Sequence, residues 1–171
     1  VSEKLSAVYH ANGTDVWVCV HSYTGDAFHS FLVTPLGINP PVVSNCGSPF
    51  SLSSTIGYLR FSPTGNKAAQ CLFDLNAVDI FDFDNSTGVL SNAATFAAGT
   101  NFYAYGLEFS STGKTLYASS DQSQGEIYQF DMQAGSQSAI VASAVNIYTQ
   151  NNNGGALLSG PDGKIYFTDY Q

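Results

Sequence analysis

Two charged residues occupy the same place in two matching stretches of this chain. Arg60 stands one residue before Phe61 in LRFSPTG, and Glu108 one residue before Phe109 in LEFSSTG. A guanidinium or a carboxylate in an otherwise apolar strand is costly to bury unless it is paired or faces water. The expectation is that the two lie near each other or line a water-filled channel. His21 closes an apolar run, DVWVCVH, just before a Ser/Thr/Gly loop, where an imidazole would be placed for general-base chemistry or for holding a ligand. His10 and His29 show no metal-ligand spacing with it.

Aromatic side chains near loop ends form a second set. Tyr23, Phe50 and Phe102, with the loop residues Asn151 and Asn152, are expected to build a binding surface through stacking and hydrogen bonds. Tyr148 belongs to the same group, whereas Tyr58, Tyr103 and Tyr105 serve equally well as packing between layers. Asp82, Asp84, Asn85 and Gly88 form D-x-D-N-x-x-G, superficially a calcium loop, but the bidentate Glu of such a loop is missing. A hairpin turn in which Asp and Asn bond their own backbone is the simpler reading. Cys19, Cys46 and Cys71 lack metal spacing; Cys19 and Cys71 read as buried small hydrophobes, and Cys46 as a loop residue. No metal and no cofactor is expected. There is no G-x-S-x-G, no H-E-x-x-H, no phosphate-cradling glycine loop and no paired catalytic carboxylates.

The elements that must position these residues repeat. YHANGTDVWV, FSPTGNKAAQ, FSSTGKTLYA and SGPDGKIYFT share one grammar, and their turn glycines Gly13, Gly65, Gly113 and Gly163 are 52, 48 and 50 residues apart. Alternating strand-like runs at such a period predict an all-β chain of β-propeller blades, each with four antiparallel strands. The reading gives one partial propeller domain over 1–171: blade one over about 4–50, blade two over 56–97, blade three over 103–149, and the first two strands of blade four over 155–170. Blade three is expected to end in a long strand region at 136–149. About three and a half blades leave faces that need neighbours, so the remaining blades of the same chain, or a second copy, are expected to complete a ring. Loops between second and third strands, and between blades, fall on one rim, where a binding surface belongs.

Composition narrows the classes. The chain has 171 residues, 44% hydrophobic and 13% aromatic, and only 11% are charged, with a net charge of −8. Scattered basic residues exclude general nucleic-acid binding. No run approaches the roughly 18 apolar residues of a membrane helix, so direct membrane insertion is not expected. The uncharged polar surface points to an extracellular or cell-surface setting, with any leader removed or lying before Val1.

The phrases IGYLRFSPTGNK, FDFDNSTGVLSN, YGLEFSSTGKTLYASS, IYQFDMQAG and GALLSGPDGKIYFTDY resemble propeller regions of large Bacteroidota surface proteins of the PKD-domain or gliding-motility-associated type. Their rhythm is more distantly similar to YVTN-type and lactonase-type propellers. The likeness covers most of 4–170 and rests on turn and packing residues. It implies an exported bacterial protein, in which the glycosylation-like Asn12-Gly13-Thr14 and Asn85-Ser86-Thr87 serve as turns. The function expected is a noncatalytic module that binds a protein or glycan through its variable-loop rim. The alternatives are a lactonase-like hydrolase and a purely structural spacer.

Overall fold

The computed structural model describes residues 2–50, 52–99, 101–121 and 124–169, without the side chains of Phe50, Leu52 and Ser53. The first sheet contains β1 (Leu5–Tyr9), β2 (Val16–His21), β3 (Gly25–Thr34) and β5 (Val42–Phe50), with the two-residue β4 (Gly37–Ile38) turning back on the end of β3. The second has β6 (Leu59–Phe61), β7 (Lys67–Leu72), β8 (Ala77–Asp84) and β9 (Val89–Ala97) in that order. The third has β10 (Ala104–Phe109), β11 (Thr115–Ser120), β12 (Gly125–Asp131) and β13 (Val145–Gln150), and the fourth has only β14 (Leu157–Ser159) and β15 (Ile165–Phe167). Every pairing is antiparallel. The architecture is all-β, a run of propeller blades that does not close on itself.

Burial explains which runs became which strands. In β2, Trp17, Cys19 and His21 are buried while the residues between them are half-buried, the alternation of a sheet with one covered face. In β7 and β8 almost every residue is buried, because blade two is packed on both sides. Ala68 and Ala69 allow the neighbouring sheets to approach it closely. One core cluster joins blades one and two around Trp17, Phe28, Phe61 and Phe81, and another joins blades two and three around Ile80, Leu107, Phe109 and Phe130. Edge-to-face contacts knit both layers: the Phe28 and Phe81 rings lie 5.0 Å apart, as do those of Phe96 and Phe130. The turns between first and second strands need a left-handed residue, and Gly65 supplies it with φ +69°.

One segment departs from the expected strand. Residues 136–149 divide into a short helix, α1 (Gln137–Ala142), followed by β13. Ser136 caps the helix by accepting the Ala139 N–H at 3.1 Å, and Ile140 is fully buried against the second core cluster. Capping and a single buried aliphatic outweigh a strand pattern here. Cys46 likewise lies in β5 and not in a loop. Among the described residues, no helix is long and apolar enough to cross a membrane.

Candidate functional site at the channel wall and upper rim

The first strands of the blades, β1, β6, β10 and β14, stand beside one another in that order and form the inner wall. Because each sheet is an antiparallel meander, the connections β2–β3, β7–β8 and β11–β12 share one end, the upper rim, with the links between blades. The tight β1–β2, β6–β7, β10–β11 and β14–β15 turns lie at the other end.

Arg60 on β6 and Glu108 on β10 occupy neighbouring inner strands. Arg60 Nε is 4.0 Å from Glu108 Oε2, and the two side chains are 28% and 15% exposed. The guanidinium carbon lies 4.4 Å from the centre of the Tyr58 ring, a cation-π contact, and the Tyr58 and Tyr105 rings are 5.5 Å apart. Glu108 is fixed by two backbone donors: Oε1 accepts the Phe109 N–H at 3.2 Å, and Oε2 accepts the Ser159 N–H of β14, also at 3.2 Å. The guanidinium, by contrast, makes no hydrogen bond to any described residue. A planar cation is thus oriented by stacking and by the Glu108 carboxylate, with its donors hydrogen-bonded to none of the described residues. Burial first, and then Tyr58, Glu3 and Asp121, push the Tyr105 phenol above its usual value.

His21 does not stand open at the rim, and the expectation of a ligand-facing imidazole is corrected. Its ring is fully buried and packs edge-on against Phe28 at 4.4 Å. Nδ1 lies 2.8 Å from the Ser22 carbonyl, and burial pushes the imidazole down to about 4. Phe102 is also buried, its ring against Tyr128 at 5.2 Å, so it forms core and no open platform. Both sit beside loops, but side chains of other strands cover them, Phe28 of β3 over His21 and Tyr128 of β12 over Phe102, and local sequence carries no mark of that cover. Tyr23 is 48% exposed in the β2–β3 connection, and Asn151 and Asn152 are exposed between β13 and β14. Tyr23 and the Asn151–Asn152 pair lie at the upper rim, in connections of different blades. The Phe50 side chain lies outside what is described, as do Gln122 and Ser123 of the β11–β12 loop.

The remaining motifs serve turns and packing. Asp84 Oδ1 accepts the Ser86 N–H at 2.9 Å and the Ser86 hydroxyl at 2.6 Å. Asp82 pairs with Lys67 at 2.5 Å and accepts Asn92 Nδ2 at 2.8 Å. The two carboxylates therefore serve separate partners. Asn12 Oδ1 accepts the N–H groups of Thr14 and Asp15, both at 3.0 Å, and shapes the β1–β2 turn. Burial raises Cys19 and Cys71 to about 12 and Cys46 to about 11, so their thiols stay protonated.

Lys4 escaped the sequence reading. It is fully buried just before β1, donates Nζ–H to the Ile56 carbonyl at 2.7 Å, and is lowered by burial to about 8. Its place at the mouth of an inner strand, where the neighbouring inter-blade link passes over, was the available signal.

Solved structures share this fold. A candidate 6-phosphogluconolactonase from Bacteroides uniformis superposes with a TM-score of 0.63 at 22% identity, over 94% of this chain and 46% of that one. The periplasmic gluconolactonase of Pseudomonas aeruginosa gives 0.63 at 15% identity, over 98% and 50%. The Swd1 β-propeller domain of Myceliophteria thermophila gives 0.55 at 14% identity, over 92% and 46%. The chain is therefore a run of β-propeller blades spanning about half the length of these proteins. No protein-family model and no curated protein matches it.

Proposed function

We propose that the chain is part of a lactonase-like propeller that binds and hydrolyses a sugar lactone at the axis of its ring. The observation that carries this reading is the Arg60 guanidinium, stacked on Tyr58 and held beside Glu108 with its N–H groups unengaged by described residues. Hydrolysing a lactone requires donors aimed at the carbonyl oxygen, where negative charge develops as water adds. Arg60 supplies such donors. Glu108 balances its charge, which suits a neutral lactone better than an anion. The names of two solved structures with this fold, a candidate 6-phosphogluconolactonase and a gluconolactonase, support the same class. In this proposal the base that activates water comes from further blades, either of a longer chain or of a second copy.

The test is hydrolysis of D-glucono-1,5-lactone by the complete ring. Turnover that falls about 100-fold or more in kcat/KM in Arg60→Ala is expected. Absence of turnover in the wild-type ring would reject the hydrolase. A second reading, a noncatalytic module for a protein or glycan, is favoured by the exposed Tyr23, Asn151 and Asn152 on the upper rim. It predicts a glycan-array or pull-down signal that is lost in Tyr23→Ala and unchanged in Arg60→Ala. For either reading we propose an extracellular or cell-surface setting, supported by a chain with 11% charged residues.

A further inference from the structure

Glu108 is not placed to swing away from Arg60. Its Oε1 accepts the N–H of the next residue, Phe109, and its Oε2, the oxygen that faces Arg60 Nε at 4.0 Å, accepts the Ser159 N–H, both bonds being 3.2 Å. The strand that carries Ser159 is itself anchored to blade three, because the Ser119 hydroxyl donates to the Gly155 carbonyl, two residues before β14, at 2.5 Å. The carboxylate is thereby fixed by the backbone of two blades. With its side chain 15% exposed, little water screens its charge from Arg60 or from a molecule bound beside the pair.

The four lysines of the chain do not tip this balance. Lys67, Lys114 and Lys164 lie at the lower tight turns or at the strand ends beside them, where Lys67 pairs with Asp82 and Lys164 with Asp162. Lys4, at the upper end, is buried and commits its amine to the Ile56 carbonyl. At or next to the upper ends of the strands stand six carboxylates, those of Glu3, Asp26, Asp74, Asp121, Glu126 and Asp169. An anion arriving from the upper rim crosses their field and then meets a guanidinium whose charge is already matched. A phosphate monoester carries about −1.5 to −2 at neutral pH and is held by unmatched Lys or Arg donors.

We infer that Glu108 is the specificity-determining residue of the proposed site: its fixed charge beside Arg60 admits unphosphorylated sugar lactones and turns away those that carry a phosphate. This rests on the sugar-lactone reading above and adds the charge of the substrate. Arg60 can still direct N–H groups at a neutral carbonyl, since that task needs donors and no net charge.

The experiment compares D-glucono-1,5-lactone with its 6-phosphate as substrates of the complete ring. The wild type is expected to favour the neutral lactone by about tenfold or more in kcat/KM at low salt, and by less as salt rises. Glu108→Gln keeps an oxygen for a backbone donor but loses the charge, and should narrow the preference about fivefold or more through a lower KM for the phosphorylated lactone. Glu108→Asp, charged but too short to reach both donors, should keep most of the preference, which separates charge from scaffolding. A wild type that favours the 6-phosphate or treats both alike, or a Glu108→Gln preference equal to that of wild type, overturns the filter. Calorimetric binding of D-glucose and D-glucose 6-phosphate separates it from the hydrolase. Should neither lactone turn over, the hydrolase falls, and the filter stands only if Glu108→Gln strengthens glucose 6-phosphate binding relative to glucose by about fivefold or more.

Discussion

Ser48 of blade one gives both of its donors to the carboxylate of Asp79 in blade two. Its backbone N–H reaches Oδ2 at 2.8 Å and its hydroxyl reaches Oδ1 at 3.1 Å. Within blade two, the Thr95 hydroxyl adds a 2.6 Å bond to Oδ1 and Gln70 Nε2 a 3.3 Å bond to Oδ2. A fully buried carboxylate is thereby satisfied by four donors from β5, β7 and β9. The bonds pin the outer strand of one blade to the middle of the next.

Removing that carboxylate strands several donors at once. Asp79→Ala is expected to lower unfolding stability by about 3 kcal/mol, since each buried donor left without a partner costs about 1–3 kcal/mol. Asp79→Asn, which keeps the shape and part of the bonding, should cost less. Urea denaturation of the three proteins measures this; a loss below about 1 kcal/mol for Asp79→Ala would show the network to be dispensable.

Acid acts through His21. Its folded value, about 4, lies below the ordinary imidazole value of 6.5 because burial opposes the charged form, with the nearby Lys4 charge adding to it. Between those values the unfolded chain binds the proton and the folded chain does not, so stability falls as pH drops from 6.5 toward 4 and levels off below. The loss expected by pH 5 is about 2 kcal/mol at most. His21→Leu should remove this part of the pH slope, which is read from urea midpoints at pH 7 and pH 5. An unchanged slope would place the acid sensitivity elsewhere.

Lys4 should resist acylation. With its amine buried and bonded to the Ile56 carbonyl, it is expected to react last with acetic anhydride, after the exposed Lys114 and Lys164. Peptide mass spectrometry of a time course decides it. Early labelling of Lys4 in the folded protein would show that the strand entrance opens readily.

Gly106 sits where blade three meets the link to blade four. A β-carbon there would lie 2.8 Å from both the Gly155 oxygen and the Leu157 nitrogen, backbone atoms that cannot swing aside. Gly106→Ala is expected to cost about 1–3 kcal/mol and to speed amide exchange selectively over 157–167. Exchange that rises evenly through all blades would argue against a local docking defect.

The repeat, the strands and the blade order were legible because they are local: glycine turns and alternating burial recur in each copy. Asp79 could have been found as well. It lies in the same i, i+2 row as Phe81 and Phe83 in VDIFDF, and a carboxylate sharing a row with two phenylalanines must be buried and bonded. His21 and Phe102 were misread because side chains of other strands, Phe28 and Tyr128, cover them, a fact no single stretch records. The helix at 137–142 was lost because six residues, QSAIVA, carry too little periodicity, and only the Ser136 cap marked it. Arg60 and Glu108 were visible as an oddity, whereas the stacking on Tyr58 depended on where the link before β6 runs.

Blade two has a four-stranded blade on each side, whereas blade one has one on a single side and blade three is backed on its far side by only the two strands β14 and β15. In stacked arrays a unit's resistance to opening grows with the number of its contacted faces. The second sheet therefore acts as the keystone of the run: disruption should begin at the outward faces of β1 and β15 and travel inward, reaching Ala68, Ala69 and Ile80 last. Whatever leans against those outer faces would lengthen the lifetime of the ends far more than that of the centre.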